Sequence, residues 1–166
     1  MQQDQQILDK CIQFLNSIGI SIAFRKIENG SFLPGLLIEQ GCIVIDKDAL
    51  LYPGDILHEA GHIAVVPADR RSLLGKEAII ESKERETEEM MAIAWSYAAC
   101  IYLQIDPHIV FHEQGYKGSG KSIVENFQAG HFFGTPMLQW CKMTIEPRNA
   151  QPGESAYPQM LKWLRD

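Results

Sequence analysis

The chain has 166 residues, 46% of them hydrophobic, with 21 acidic against 15 basic side chains and a formal net charge of −6. That length can bury one sizeable core, so a single domain over residues 1–166 is expected. The acidic balance argues against a general nucleic-acid binder and against a protein held on anionic lipid by a basic face, so neither nucleic acid nor a membrane is expected as a partner.

Met1-Gln2-Gln3-Asp4 lacks the basic head and apolar run of a secretory signal, and no later stretch approaches the roughly 20 apolar residues that span a bilayer, which points to a cytoplasmic protein. From Asp4 to Gly19, the residues Ile7, Leu8, Cys11, Ile12, Leu15 and Ile18 recur at helical spacing, with Asp4 as cap and Gly19 as stop. This predicts an amphipathic first helix. Three short β-branched or aliphatic runs follow, Ser21 to Ile27, Leu36 to Ile38 and Cys42 to Ile45, separated by Asn29-Gly30, Pro34-Gly35 and Gln40-Gly41. The last two runs are expected to pair as a hairpin around Glu39-Gln40-Gly41.

A second helix is predicted from near Pro53 to just before Pro67, since proline suits a first helical turn and drives the residue preceding it out of the helical region. After a basic, loop-like Asp69-Arg70-Arg71, a long helix is predicted from about Ser82 to Leu103, charged at first and almost uniformly apolar from Met90 onward. Its second half must be buried. Asp106-Pro107 is a good helix start, and Lys121 to Gln128 and Tyr157 to Leu164 carry weaker helical patterns between glycine- and proline-rich turns. Helix, small antiparallel or mixed sheet, then helices is an α+β order. The four cysteines, Cys11, Cys42, Cys100 and Cys141, lie far apart with no C-x-x-C pair and read as reduced, buried thiols.

The chemistry concentrates on the second helix. His58-Glu59-Ala60-Gly61-His62 fits H-E-x-x-H, and residues four apart project from one helix face, so two imidazoles can grip one ion. Asp55, His58, Glu59 and His62 fall on one side, expected to face a cleft or water, and Ile56, Leu57, Ala60, Ile63 and Ala64 on the side of the core. Zinc suits nitrogen ligands, and a catalytic site takes three protein ligands plus a water whose proton Glu59 is placed to accept. Asp55 could hydrogen-bond a ligand histidine or simply complement the helix dipole. Gly61, costly inside a helix, implies close approach by another backbone.

An H-E-x-x-H-x-x-G-x-x-H extension is excluded, because Val65 and Ala68 stand where it needs Gly and His. A downstream carboxylate is the natural third ligand, and the long helix offers Glu86, Glu88 and Glu89, with helical-face analysis leaving Glu88 and Glu89 unseparated. Gly115-Tyr116-Lys117-Gly118-Ser119-Gly120-Lys121-Ser122 satisfies the phosphate-loop pattern G-x-x-x-x-G-K-S, but Asp106-Pro107 opens what looks like a helix before it and no apolar strand ending in Asp follows. It reads as a glycine-rich turn. His112, Tyr116, His131 and Arg70 are chemically suited to stabilise an oxyanion.

With these motifs, the chain resembles the gluzincin side of the zincins, and more closely the ImmA/IrrE-type zinc peptidases, over roughly residues 36–104. In that group H-E-x-x-H is followed by a helix bearing E-x-x-A, whose Glu is the third ligand. Glu89-Met90-Met91-Ala92 fits that element, so the resemblance assigns the ligand role to Glu89 in preference to Glu88. It implies a zincin-like fold binding Zn2+ through His58, His62 and Glu89, with Glu59 as base in hydrolysis of a peptide or protein substrate. The rival expectation is a zincin-shaped binding or regulatory module whose metal site is structural or idle.

Overall fold

The apolar stripe near the N-terminus folds as α1 (Gln2–Ser17), burying Ile7, Leu8, Cys11, Phe14 and Leu15. Gly19, at φ 92°, stops it: Ile20 N–H reaches back to the Leu15 carbonyl and Gly19 N–H to that of Asn16, closing the helix end. The computed structural model describes residues 2–28, 33–75 and 84–166, and within it the fold is mixed α+β. The predicted Asn29-Gly30 turn and the start of the long helix at Ser82 lie outside the described residues.

Strands β1 (Ile22–Phe24), β2 (Leu36–Glu39) and β3 (Cys42–Ile45) form one sheet in the order β1-β3-β2. β2 and β3 pair antiparallel through a two-residue turn, and β1 runs parallel to β3. Both turn residues are left-handed, Gln40 at φ 51° and Gly41 at φ 73°, the backbone that matches the twist of a hairpin. The register sets Leu36 opposite Ile45 and Ile38 opposite Ile43, so all four point into the core. β1 is shorter than the predicted Ser21 to Ile27. Its partner strand stops at Ile45, and the next donor along β1's path, Ile27 N–H, goes instead to the Asp46 carboxylate.

The motif helix α2 (Asp55–Val65) ends where the extended backbone of Val66 precedes Pro67. Its last carbonyls are capped by two arginines. Arg71 reaches those of Ile63 and Val66, while Arg165 reaches Ala64 through its backbone N–H and Val65 through its guanidinium. Arg71 also donates to the Arg165 carbonyl. The segment expected to be a loop at Asp69-Arg70-Arg71 is a 3-10 turn, Ala68–Leu73, tightened by Arg70 N–H to the Pro67 carbonyl as Arg71 folds back.

Helix α3 (Arg85–Leu103) buries every residue from Met91 to Cys100. It crosses α2 at Gly61, where an added Cβ would stand 2.9 Å from the Ala92 carbonyl oxygen, the close approach that this glycine implied. One turn away, Ser96 Oγ donates to the Leu57 carbonyl, so the two helices run in opposite directions.

The C-terminal third departs further from expectation. Asp106-Pro107 opens only a 3-10 turn, Pro107–Ile109, with the Asp106 side chain accepting from His108 N–H. Helix α4 (Gly120–Gln128) matches the predicted Lys121 to Gln128, whereas α5 (Thr135–Trp140) was not foreseen. The terminal helix expected over Tyr157 to Leu164 is not formed. Backbone donors there serve another segment: Tyr157 N–H bonds to the Ile145 carbonyl, and Leu161 N–H to that of Met143. Tyr157 Oη and Trp95 Nε1 then tie this stretch to α3, donating to the carbonyls of Ala94 and Trp163. All four cysteines are free thiols, with Cys11 and Cys100 buried but Cys42 and Cys141 only half-buried, contrary to the sequence reading. Among the described residues no helix is long and apolar enough to cross a membrane.

Gly61→Ala is expected to lower stability by about 1–3 kcal/mol, because its methyl group meets backbone that cannot rotate aside. Urea unfolding measures this, and a variant as stable as wild type would mean that the crossing yields freely.

Candidate metal centre

Helical spacing puts His58 and His62 on one face of α2, and their Nε2 atoms stand 3.1 Å apart. Glu89, in the first turns of α3, reaches both: Oε1 lies 3.5 Å from His58 Nε2, and Oε2 lies 3.2 Å from His62 Nε2. Among the described residues this is the one group of three such side chains whose donor atoms all fall within 4.8 Å of one another. Glu89 keeps 42% of its side chain exposed against 14% and 11% for the histidines, so the group opens to solvent on the Glu89 side.

No protein-family model, curated protein or solved structure matches the chain.

The donor set suits a small divalent cation of borderline softness. Two imidazoles and a carboxylate holding a tetrahedral zinc at 2.0–2.1 Å would sit about 3.3–3.4 Å from each other. The two imidazole nitrogens stand 3.1 Å apart, near that spacing, while the carboxylate offers one oxygen towards each histidine, Oε1 at 3.5 Å and Oε2 at 3.2 Å. Glu88, the competing glutamate, turns away: its buried Oε1 makes no hydrogen bond and faces Arg70 Nη2 at 3.9 Å.

Electrostatics divides the two histidines. Burial and the neighbouring His62 push His58 down to about 3, so it is a neutral ring. Burial also opposes charge on His62, but its hydrogen bond to Glu89 and the charges of Glu59, Glu89 and Glu88 outweigh this and raise it. Burial opposes charge on Glu89, but its hydrogen bond to His62 and the charges of His58, His62 and Arg85 outweigh this and lower it. Burial raises Glu59, aided by the charges of Asp55 and Glu89 and opposed by His62.

The sequence sets the polar side of α2 against a cleft or water, and part of that side is covered by the segment from His112 to Tyr116. Tyr116 Oη lies 2.7 Å from His58 Nδ1. His112 Nε2 lies 2.9 Å from Asp55 Oδ1, while His112 Nδ1 accepts from Gly115 N–H at 3.1 Å. That amide leaves the His112 proton on Nε2, so Nε2–H donates to Asp55. Asp55 therefore bonds His112 and not a ligand histidine, and burial raises it despite that bond. Tyr52 stacks on the His112 ring at 4.0 Å between centroids, a contact with no signal in the sequence.

The remaining oxyanion candidates lie elsewhere. His131 is exposed beyond the end of α4, with no contact to the group, and Arg70 pairs with Glu84 and Glu88. The phosphate-loop pattern is spent on local structure. Gly118 and Ser119 donate their amides to the Gly115 and Tyr116 carbonyls, and an added Cβ at Gly120 would stand 2.2 Å from the Phe111 carbonyl oxygen. Those two amides are turned inward, away from any phosphate.

A cation must displace the proton that His62 holds more tightly than a free imidazole does. Zinc affinity is therefore expected to fall as pH is lowered, beginning above the ordinary imidazole range, with Glu59→Gln shifting the dependence to lower pH by removing one charge that raises His62. Competition titrations with a chromophoric chelator read this out, and a pH-independent affinity would contradict it.

Proposed function

We propose that this chain is a zincin-like, zinc-dependent hydrolase acting on a peptide or related amide, with His58, His62 and Glu89 as metal ligands and Glu59 as general base and acid. The observation that carries the reading is the convergence of two Nε2 atoms and one carboxylate within 4.8 Å of one another, with a half-buried Glu59 on the same helix.

A bound zinc ion supplies Lewis acidity, which acidifies water and polarises a carbonyl oxygen. Glu59 does the proton work. Next to His58 but outside the ligand set, and with its pKa raised by burial, it is suited to accept the proton of an attacking water and to deliver it to the departing nitrogen. The exposed Glu89 side gives a substrate a direction of approach.

A second reading has its own support. The three ligand candidates straddle the α2–α3 crossing, so a cation there would also cross-link two buried helices, as in a structural site or a binding module. The two readings separate experimentally. Elemental mass spectrometry is expected to find about one zinc per chain in wild type and none in His58→Ala or Glu89→Ala, each shown to be folded by circular dichroism. Glu59→Gln is expected to keep its zinc and lose hydrolysis of a fluorogenic peptide library by about 100-fold or more. Unfolding on zinc removal, with no turnover in wild type, would favour the structural site, and a wild type that cannot be loaded would sink both.

A further inference from the structure

We propose that Tyr116 is a positioning residue of the metal site: its phenolic oxygen accepts from His58 Nδ1–H and so presents the His58 Nε2 lone pair to the cation. The inference rests on the zinc-site reading and deepens it.

A neutral imidazole carries one proton. For Nε2 of His58 to ligate a metal, that proton must sit on Nδ1, and a buried N–H needs an acceptor. Tyr116 Oη is at hydrogen-bond distance, 2.7 Å, with its ring set edge-on to His58 at 80°. A phenol keeps its own proton and still offers a lone pair to a donor.

The hydroxyl is held in place from both ends of its segment. Upstream, His112 donates to Asp55 one turn before the motif, stacks on Tyr52, and accepts from Gly115 N–H. Phe111, 1% exposed, packs against the Tyr116 ring at 5.2 Å. Downstream, Gly120 lies against the Phe111 carbonyl. Tyr116 itself adopts φ 51°, a left-handed backbone that a bulky side chain avoids unless its surroundings impose it. Two hydrogen bonds, His112 to Asp55 and Tyr116 to His58, thus span the polar face of α2. With its oxygen engaged on the ring nitrogen remote from the ligand cluster, Tyr116 acts through His58 and not on substrate as an oxyanion donor.

The test uses the full chain and zinc ion. Tyr116→Phe keeps the ring and removes the acceptor. Competition with a chromophoric chelator should show zinc affinity lowered about 10–100-fold, with Glu59→Gln as a control that retains metal. In 15N-histidine NMR of zinc-loaded wild type, His58 should ligate through Nε2 and show a slowly exchanging Nδ1–H, which exchanges rapidly in Tyr116→Phe. A loss of packing alone would not change which ring nitrogen holds the proton. Affinity in Tyr116→Phe within about twofold of wild type would overturn the role while leaving the metal site standing. So would His58 ligation through Nδ1 in wild type, a measurement that decides the matter even if the variant fails to fold. A wild type that takes up no zinc would overturn the hydrolase reading, and this role with it.

Discussion

At Gly61 the backbones of α2 and α3 approach so closely that a methyl group would strike the Ala92 carbonyl, and this distance governs where every group in the site can be. His58 lies one turn before the crossing and His62 immediately after it, while Glu89 lies one turn before Ala92 on the opposing helix. A glutamate side chain is short. Only helices in backbone contact let its carboxylate meet both imidazoles without bending either helix. Ser96 Oγ on the Leu57 carbonyl marks the same closeness a turn away, and the small residues Ala92, Ala94, Ala98 and Ala99 keep α3 slim.

The crossing also gathers charge. Asp55, Glu59, Glu88 and Glu89 are drawn around two histidines; among the described residues, Arg70, half-exposed at the rim, lies near Glu88, and the charge of Arg85 acts on Glu89. Loss of solvation pushes Glu59 upward and the charges of Asp55 and Glu89 add to it, while Glu89, bonded to His62, is lowered. A divalent cation is the species that would relieve this arrangement most directly, and its arrival would reverse the proton preferences of the surrounding groups.

What the sequence made legible was local. Helical period located α1, α2 and the buried half of α3, and Gln40-Gly41 marked the hairpin, since these follow from neighbours a few residues apart. The shared face of His58 and His62 is of that kind. Their approach to Glu89 is tertiary, and only a family resemblance separated it from Glu88. The cover over α2 was illegible for the same reason: Tyr116 meets His58 across 58 residues and His112 meets Asp55 across 57, and the glycines between announce only a turn. The stretch Tyr157 to Leu164 has apolar residues at helical spacing, yet its donors are claimed by the chain from Met143 to Ile145, and tertiary pairing overrode propensity.

The capping of α2 by Arg165 sets an order of events. Carbonyls of Ala64 and Val65, in the turn that follows His62, find their partners 100 residues downstream, and Arg71 is itself tied to the Arg165 carbonyl. During synthesis the histidines emerge long before Arg165, so the carbonyls of Ala64 and Val65 would lack these cap partners until the distal segment arrives, with Arg71 alone at hand for those of Ile63 and Val66. The end of the helix that carries His62 is thereby tied to a segment about 100 residues away, so its final firmness depends on completion of the fold.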